Sequence, residues 1–274
     1  MRAWVKSSHQ KSKTIGFVPT MGALHEGHLS LVRLAKKEAG LVVVSIFVNP
    51  LQFGPQEDFE RYPQRLEKDL VLLEKEKVDA VFSPHHIEMY PEGFQTKVEL
   101  PSLSQFLCGK TRKGHFEGVA TVVLKLFQIV TPDVAVFGNK DYQQRLIIET
   151  MVQDLNLNVR IVAAPIVREA DGLAMSSRNS YLSLEERKRA VVLNQSLKRA
   201  EELFSQGERR SSRLIREVVE IIDKENPSHI DYVSICHVKT LAEISEVKDQ
   251  ALLAVAVFFG KTRLIDNVIL EIKE

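Results

Sequence analysis

Residues 14–48 read TIGFVPTMGALHEGHLSLVRLAKKEAGLVVVSIFV, and the order of signals in them decides the fold class. Residues 14–18 are a short run of strand-forming character. Gly22 and Gly27 punctuate the next stretch. From there to about Lys37, Leu31, Leu34 and Ala35 fall on one helical face, and Gly40 closes the helix. Residues 41–48 (LVVVSIFV) are almost unbroken apolar and β-branched, the pattern of a strand buried on both faces. Strand, helix and strand in so short a span make a βαβ unit, the building block of a parallel sheet.

The alternation continues outward. Leu66, Leu70 and Leu73 mark a helix after Pro63, and residues 78–82 a strand. Residues 85–114 are less regular and are expected to hold one short strand at 96–100. A helix follows at 118–130, a strand at 133–137, a helix at 142–155 and a strand at 159–163. After Ser180 the character changes. Ser183-Leu-Glu-Glu186 predicts a capping box that opens a long helix to about Phe204, and a second helix follows Ser211-Ser212. Strand-like runs lie at 230–236, 252–259 and 263–270, the last two forming a hairpin about Gly260. The expectation is an α/β protein. Residues 1–180 would form a doubly wound parallel sheet. Residues 181–274 would form a smaller α+β domain, a lid closing on substrate, joined by the loop 168–179.

Composition narrows the function. Lys and Arg total 37 against 36 Asp and Glu, a net charge of +1, and neither predicted domain departs from balance. That gives no basic domain for nucleic acid. The two cysteines, Cys108 and Cys236, lie far apart and in no metal-binding spacing. With an N-terminus (MRAWVKSSHQ) that lacks an apolar core, they point to a reducing cytoplasm. The longest apolar run, residues 251–259, is too short for a membrane span, which takes about 20 residues.

In an open parallel sheet, ligands bind beyond the carboxyl ends of the strands, near the reversal of strand order. Polar clusters fall there after each early strand. They are 19–28 (PTMGALHEGH), 49–54 (NPLQFG), 138–144 (GNKDYQQ) and 168–178, which ends in Met175-Ser-Ser-Arg178. His25 and His28 sit three apart at a helix start, where free N–H groups and positive potential suit phosphates. The same spacing also fits a capping histidine beside a surface one. A zinc pair would need H-E-x-x-H and a third ligand. Lys140 directly after a strand can neutralise a phosphate or can be a solvated loop lysine. The 175–178 loop offers an anion two hydroxyls and a cation. Gln52 and Gln144 carry amides that both donate and accept, which suits a hydroxyl or carboxylate. Gly109-Lys110-Thr111 is no P-loop, because Ser104 stands where its first glycine would be, and no G-x-G-x-x-G follows the first strand.

The stretches 19–32, 47–54, 61–70, 114–133, 137–144 and 167–179 together resemble the pantothenate synthetase family, in order along nearly the whole first two-thirds of the chain. The resemblance implies a Rossmann-like nucleotidyltransferase fold with His25-x-x-His28 as its H-x-G-H signature, and a homodimer; the balanced charge and short apolar runs above add the expectation of no nucleic-acid or membrane partner. It implies condensation of (R)-pantoate with β-alanine through a pantoyl-adenylate, with ATP as substrate, Mg²⁺ as cofactor, and AMP and pyrophosphate released. ATP contacts would come from Met21, Gly22, Ala23, Leu24, His25, Glu26, Gly27, His28, Gly138, Asn139, Lys140, Asp141, Val167, Met175, Ser176, Ser177 and Arg178. Of these, His28, His25, Lys140, Ser176, Ser177 and Arg178 would serve catalysis. Gln52 and Gln144 would hold pantoate, Gln52 also β-alanine, and Asp69 would help with the metal. The chain departs from the family pattern at Asn139 (usually Glu), Gln64 (usually Arg), Arg145 (usually Leu) and Lys68 (commonly acidic).

Two other functions fit the residues less well. A nucleotidyltransferase acting on a phosphate ester would share the H-x-G-H but want further cations and no pair of glutamines. A non-enzymatic RNA-binding module would want a basic surface.

Overall fold

The computed structural model describes residues 1–55 and 57–272. They form two compact units. The first comprises Met1–Ser104, Arg112–Asn139 and Gln144–Pro165; the second comprises Gln105–Thr111, Lys140–Gln143 and Ile166–Glu274.

The first unit is built on five parallel strands: β1 Ile15–Thr20, β2 Leu41–Ile46, β3 Ala80–Phe82, β4 Val134–Gly138 and β5 Arg160–Ala164, in spatial order β3-β2-β1-β4-β5. Helices cover both faces, as the apolar runs require. Helix Glu26–Glu38 packs Leu29, Val32 and Ala35 onto Val18, Val42, Val44 and Val136. On the sheet's other inward positions, Phe17 meets Phe127 of helix His115–Val130 edge to face, with centroids 6.3 Å apart. Strand order reverses between β1 and β4, so the loops leaving these two strands flank the crevice where such sheets take ligands.

The second unit carries an antiparallel sheet, β6 His229–Cys236, β7 Gln250–Phe259 and β8 Thr262–Glu271, in that order. Helices Val192–Ser205 and Ser211–Asp223 share a core with it through Leu193, Leu197, Leu214, Val218, Leu253 and Val255. The β7–β8 hairpin turns at Gly260, whose φ of +56° lies in the left-handed region. Ser183 and Glu186 form the expected reciprocal cap: Glu186 N–H donates to Ser183 Oγ (3.2 Å) and Ser183 N–H to Glu186 Oε2 (2.8 Å). The helix they open, Leu184–Ala190, is followed by Val192–Ser205, so the single long helix is divided at Val191.

Two further differences have local causes. Residues 96–100 form no strand: Val98 N–H donates to the Thr121 hydroxyl (3.0 Å) of helix His115–Val130, so a side chain stands in for a ladder partner. The change of character at Ser180 predicts a boundary there. The second unit instead takes up residues 166–180, because Leu173 lies in its apolar core. No helix among the described residues is long and apolar enough to cross a membrane.

Candidate active site

The chain leaving β1 is held in an uncommon shape. Gly22 has φ +81°, and the next residue, Ala23, has φ +50°, a left-handed conformation that costs a residue with a Cβ about 1–2 kcal/mol. Three contacts hold this shape. Thr20 Oγ1 donates to Ser45 O (2.7 Å) and accepts from Gly22 N–H (3.2 Å). Asp69, from helix Leu66–Lys75, accepts Ala23 N–H at Oδ2 and Leu24 N–H at Oδ1, both at 2.8 Å. A Cβ on Gly22 would lie 3.0 Å from Asp69 Oδ2 and 3.1 Å from Ile46, so glycine is required for space as well as for φ.

The loop delivers His25 as the N-cap of helix Glu26–Glu38, which puts His28 in its first turn. Their rings lie 4.1 Å apart. His28 Nδ1 accepts the His25 N–H at 3.4 Å, the reach-back that a Glu makes in an ordinary capping box. With Nδ1 accepting, the neutral His28 ring carries its proton on Nε2 and can donate from there. Glu26 is engaged elsewhere, paired with Arg33, which also holds Glu76 (2.5 Å).

After β2, Gln52 is buried and its amide is oriented. The chain fixes Asn49 first: its Nδ2 donates to Gly118 O (3.0 Å) and its Oδ1 accepts from Leu51 N–H (3.3 Å) and from the Tyr90 hydroxyl (2.8 Å). Nδ2 also donates to Gln52 Oε1 (3.1 Å), so Gln52 Nε2 points away, toward Met21 Sδ at 3.1 Å. Backbone packing is tight here: a Cβ on Gly118 would lie 2.3 Å from Leu51 O. The Gln52 carbonyl is held by His115 Nδ1 (2.7 Å) and Arg112 (3.4 Å), and Arg112 pairs with Glu57 through Nε (2.7 Å) and Nη2 (2.5 Å). Burial acts to raise the Glu57 carboxyl, but the Arg112 hydrogen bond and charge outweigh it and leave it below the usual carboxylate range.

After β4, Gly138 and Asn139 stay with the first unit, as does Gln144, half-buried in helix Tyr142–Asp154. The neighbouring Gln143 is buried and used structurally: its Oε1 accepts Cys108 N–H (3.0 Å) and its Nε2 donates to Phe106 O (2.8 Å). Arg145 pairs with Glu149 one helical turn on.

Lys140 and Asp141 belong to the second unit, where Asn267 Nδ2 donates to Lys140 O at 2.9 Å. So do Val167 and the 175–178 loop. Met175 N–H donates to Val167 O (3.0 Å), and Ser176 Oγ accepts Arg178 N–H (3.3 Å), capping the turn Ser177–Tyr181. This loop is braced twice. Arg168 forks onto Asp266 (2.5 and 3.0 Å), whose side chain is 1% exposed. Glu169 joins Asn179 (2.7 Å) to Arg187 (2.6 Å).

The first unit therefore brings Met21–Leu24, His25, His28, Gln52 and Asp69 together, and the second gathers Val167, Met175, Ser176, Ser177 and Arg178 on one braced loop. Sequence alone does not single out Thr20, Asn49, Tyr90, Arg112, His115, Asp266 and Asn267. Thr20 and Asn49 have a legible signal in the polar clusters that follow the first two strands, and Asn49 stands three residues before Gln52. No group of three or more His, Cys, Asp or Glu suited to a metal occurs among the described residues. As a magnesium ligand Asp69 fits poorly: its side chain is buried and each oxygen already accepts a backbone N–H.

The profile of the Pantoate-beta-alanine ligase family matches residues 1–269. The pantothenate synthetase of Carboxydothermus hydrogenoformans is 57% identical over 273 residues, covering 99% of this chain and 96% of that protein. That of Thermoanaerobacter sp. is 56% identical over 269 residues, covering 98% and 95%. Among solved structures, pantothenate synthetase from Thermus thermophilus matches with a TM-score of 0.93 at 46% identity, covering 98% of each chain. Pantoate-beta-alanine ligase from Francisella tularensis, complexed with beta-gamma ATP and beta-alanine, matches with a TM-score of 0.81 at 35% identity, covering 98% of this chain and 97% of that one.

Proposed function

The chain belongs to the pantoate-beta-alanine ligase family, and from that premise we propose that it condenses (R)-pantoate with β-alanine through a pantoyl-adenylate, consuming ATP and releasing AMP and pyrophosphate. The observation that supports this most is the approach of Gln52 Nε2 to Met21 Sδ at 3.1 Å. It sets an amide suited to an acid's oxygens against the loop that precedes His25 and His28. A pure nucleotide-binding loop would not need that neighbour.

In the first step a pantoate carboxylate oxygen attacks the α-phosphorus of ATP, and the bond from that phosphorus to the bridging oxygen breaks. The leaving pyrophosphate takes the electron pair. His28 Nε2–H, Lys140 and the Ser176, Ser177 and Arg178 loop are the groups proposed to meet the growing charge; a preorganised donor of this kind typically contributes about 10²–10³-fold. His25 and the N–H groups of its helix start assist. Met21–His28, Gly138, Asn139, Asp141, Val167 and Met175 are proposed to complete the ATP contacts. In the second step the neutral amine of β-alanine attacks the acyl carbon, AMP leaves with the acyl–oxygen electron pair, and the amine gives up a proton to form the amide. Gln52 and Gln144 hold pantoate by its hydroxyls and carboxylate, and Gln52 also touches β-alanine. Mg²⁺ is proposed to arrive on the triphosphate oxygens, as is usual for this ion, with no side chain assigned to it. The working form is proposed to be a homodimer, which sedimentation equilibrium reads directly.

The test is exchange of labelled pyrophosphate into ATP. It should require pantoate and proceed without β-alanine, since adenylation is reversible while pyrophosphate remains. An acid lacking the hydroxyls should support little exchange. Exchange that ignores pantoate, or that waits for β-alanine, overturns the two-step reading. A nucleotidyltransferase would need a phosphorylated acceptor instead, and an RNA-binding module would show no exchange.

A further inference from the structure

We infer that Asp69 is a positioning residue for the histidine-bearing loop, not a ligand for a metal ion. The inference rests on the proposed adenylation for its kinetic consequence, but its geometry stands without it.

Successive backbone N–H groups around a left-handed residue form a concavity that attracts an anion. Ala23, at φ +50°, and Leu24 offer such a pair, and the anion that fills it is the chain's own: Asp69 takes one N–H on each carboxylate oxygen, both at 2.8 Å. Charge-assisted bonds of this kind are about twice as strong as neutral ones. They offset the unfavourable φ of Ala23, so the loop keeps a shape that it would otherwise leave. The consequence falls one residue later. Leu24 hands the chain to His25, whose N–H meets His28 Nδ1, a contact that holds the ring in place and keeps the His28 proton on Nε2. Asp69 thus acts on His28 through two backbone amides and one cap.

The same contacts disqualify Asp69 as a magnesium ligand. Mg²⁺ keeps several waters and near-octahedral geometry. Asp69 is 2% exposed, which leaves no face for a hydrated ion. The residue before it is Lys68, and no cluster of metal-binding side chains occurs among the described residues.

The experiment compares wild type with Asp69→Asn, an isostere that can accept only one of the two N–H groups. Three readouts are taken: backbone amide exchange at Ala23 and Leu24, the Mg²⁺ concentration at half-maximal pyrophosphate exchange, and Mn²⁺ binding to nucleotide-free protein by electron paramagnetic resonance. Positioning predicts amide exchange at Ala23 and Leu24 at least about 10-fold faster in the variant, and kcat for pyrophosphate exchange lowered by about 10- to 100-fold. It also predicts an unchanged Mg²⁺ midpoint and no Mn²⁺ site that depends on Asp69. A midpoint raised about 10-fold, or an Mn²⁺ site lost in the variant while the amides stay protected, overturns it. Should Asp69→Asn fail to fold, wild type still decides: Ala23 and Leu24 amides that exchange as fast as open loop amides overturn the inference. Wild type inactive in pyrophosphate exchange would instead refute the proposed function and leave the amide test intact.

Discussion

Gln52 turns its amide nitrogen, and not its oxygen, toward Met21, because Asn49 Nδ2 holds Gln52 Oε1 at 3.1 Å. Asn49 in turn cannot flip. Gly118 C=O can only accept and Leu51 N–H can only donate, so the amide between them has one orientation. The Tyr90 hydroxyl must then donate to Asn49 Oδ1, and burial pushes the Tyr90 phenol well above its ordinary pKa, so it keeps that proton. Polarity passes from Tyr90 to Asn49 to Gln52, which ends as a donor suited to a carboxylate or hydroxyl oxygen.

Tyr90→Phe is therefore expected to raise KM for pantoate about 5- to 10-fold, the scale of one buried acceptor left underused, with KM for ATP unchanged. Asn49→Asp removes the donor to Gln52 and sets a carboxylate against Gly118 C=O, so its effect should be larger. Steady-state kinetics with each substrate varied separately checks both. Equal shifts in the two KM values would show general loosening in place of a polarity relay.

His28 is expected to follow a rank order set by its tautomer. His28→Ala should cut adenylation at least about 10²-fold, the usual scale for a positioned catalytic group. A Gln amide nitrogen reaches roughly where Nε2 stands, whereas an Asn amide reaches only the Nδ1 position. His28→Gln should then retain more pyrophosphate exchange than His28→Asn. The reverse order would mean that the ring works through Nδ1.

The parallel sheet is legible in the sequence because residues 41–48 must be buried on both faces, and the helix after β1 because its apolar residues recur at helical spacing. His25, His28, Gln52 and Lys140 can be singled out because they stand just past strand ends. Asn49's role, Tyr90, His115 and Asp266 cannot, since each acts on a residue distant in sequence or on a contact that only the fold creates: Tyr90 meets Asn49, 41 positions away, and Asp266 meets Arg168, 98 away. The strand expected at 96–100 fails because local β character says nothing about whether a ladder partner exists. Helix Arg2–Gln10 goes unread because Val5 is its only buried apolar side chain.

The Glu57–Arg112 pair gives a pH signature. The folded-state pKa of Glu57 is lowered, so its contribution to stability is fully present above the unfolded carboxylate value, about 4.3, and is lost as pH falls through the lower folded value. Glu57→Gln should thus be less stable than wild type by about 1 kcal/mol at pH 7, a modest figure for a partly exposed pair. The gap should narrow as pH drops below about 4. Urea unfolding of both proteins from pH 7 to pH 3 reads this, and a gap that widens toward low pH would contradict the assigned pair.

Asp266 tests whether the loop proposed to contact ATP depends on the strand behind it. Its carboxylate is 1% exposed and takes both arms of the Arg168 guanidinium, which also donates to Gly172 O at 3.2 Å. Arg168 thereby closes the loop whose far end carries Met175, Ser176, Ser177 and Arg178, with Arg168 and Ala174 facing each other across an antiparallel bridge. Asp266→Ala removes the buried partner and leaves Arg168, whose side chain is 26% exposed and can turn to water, so it should cost about 1–3 kcal/mol, read by denaturant unfolding. Asp266→Asn keeps the volume and one acceptor and should cost less. In that milder variant the loop should loosen before the core does, so KM for ATP is expected to rise about 10-fold while KM for pantoate, assigned to Gln52 and Gln144, stays where it was. A variant that loses stability with both KM values unmoved would show that Asp266 supports the sheet and not the loop.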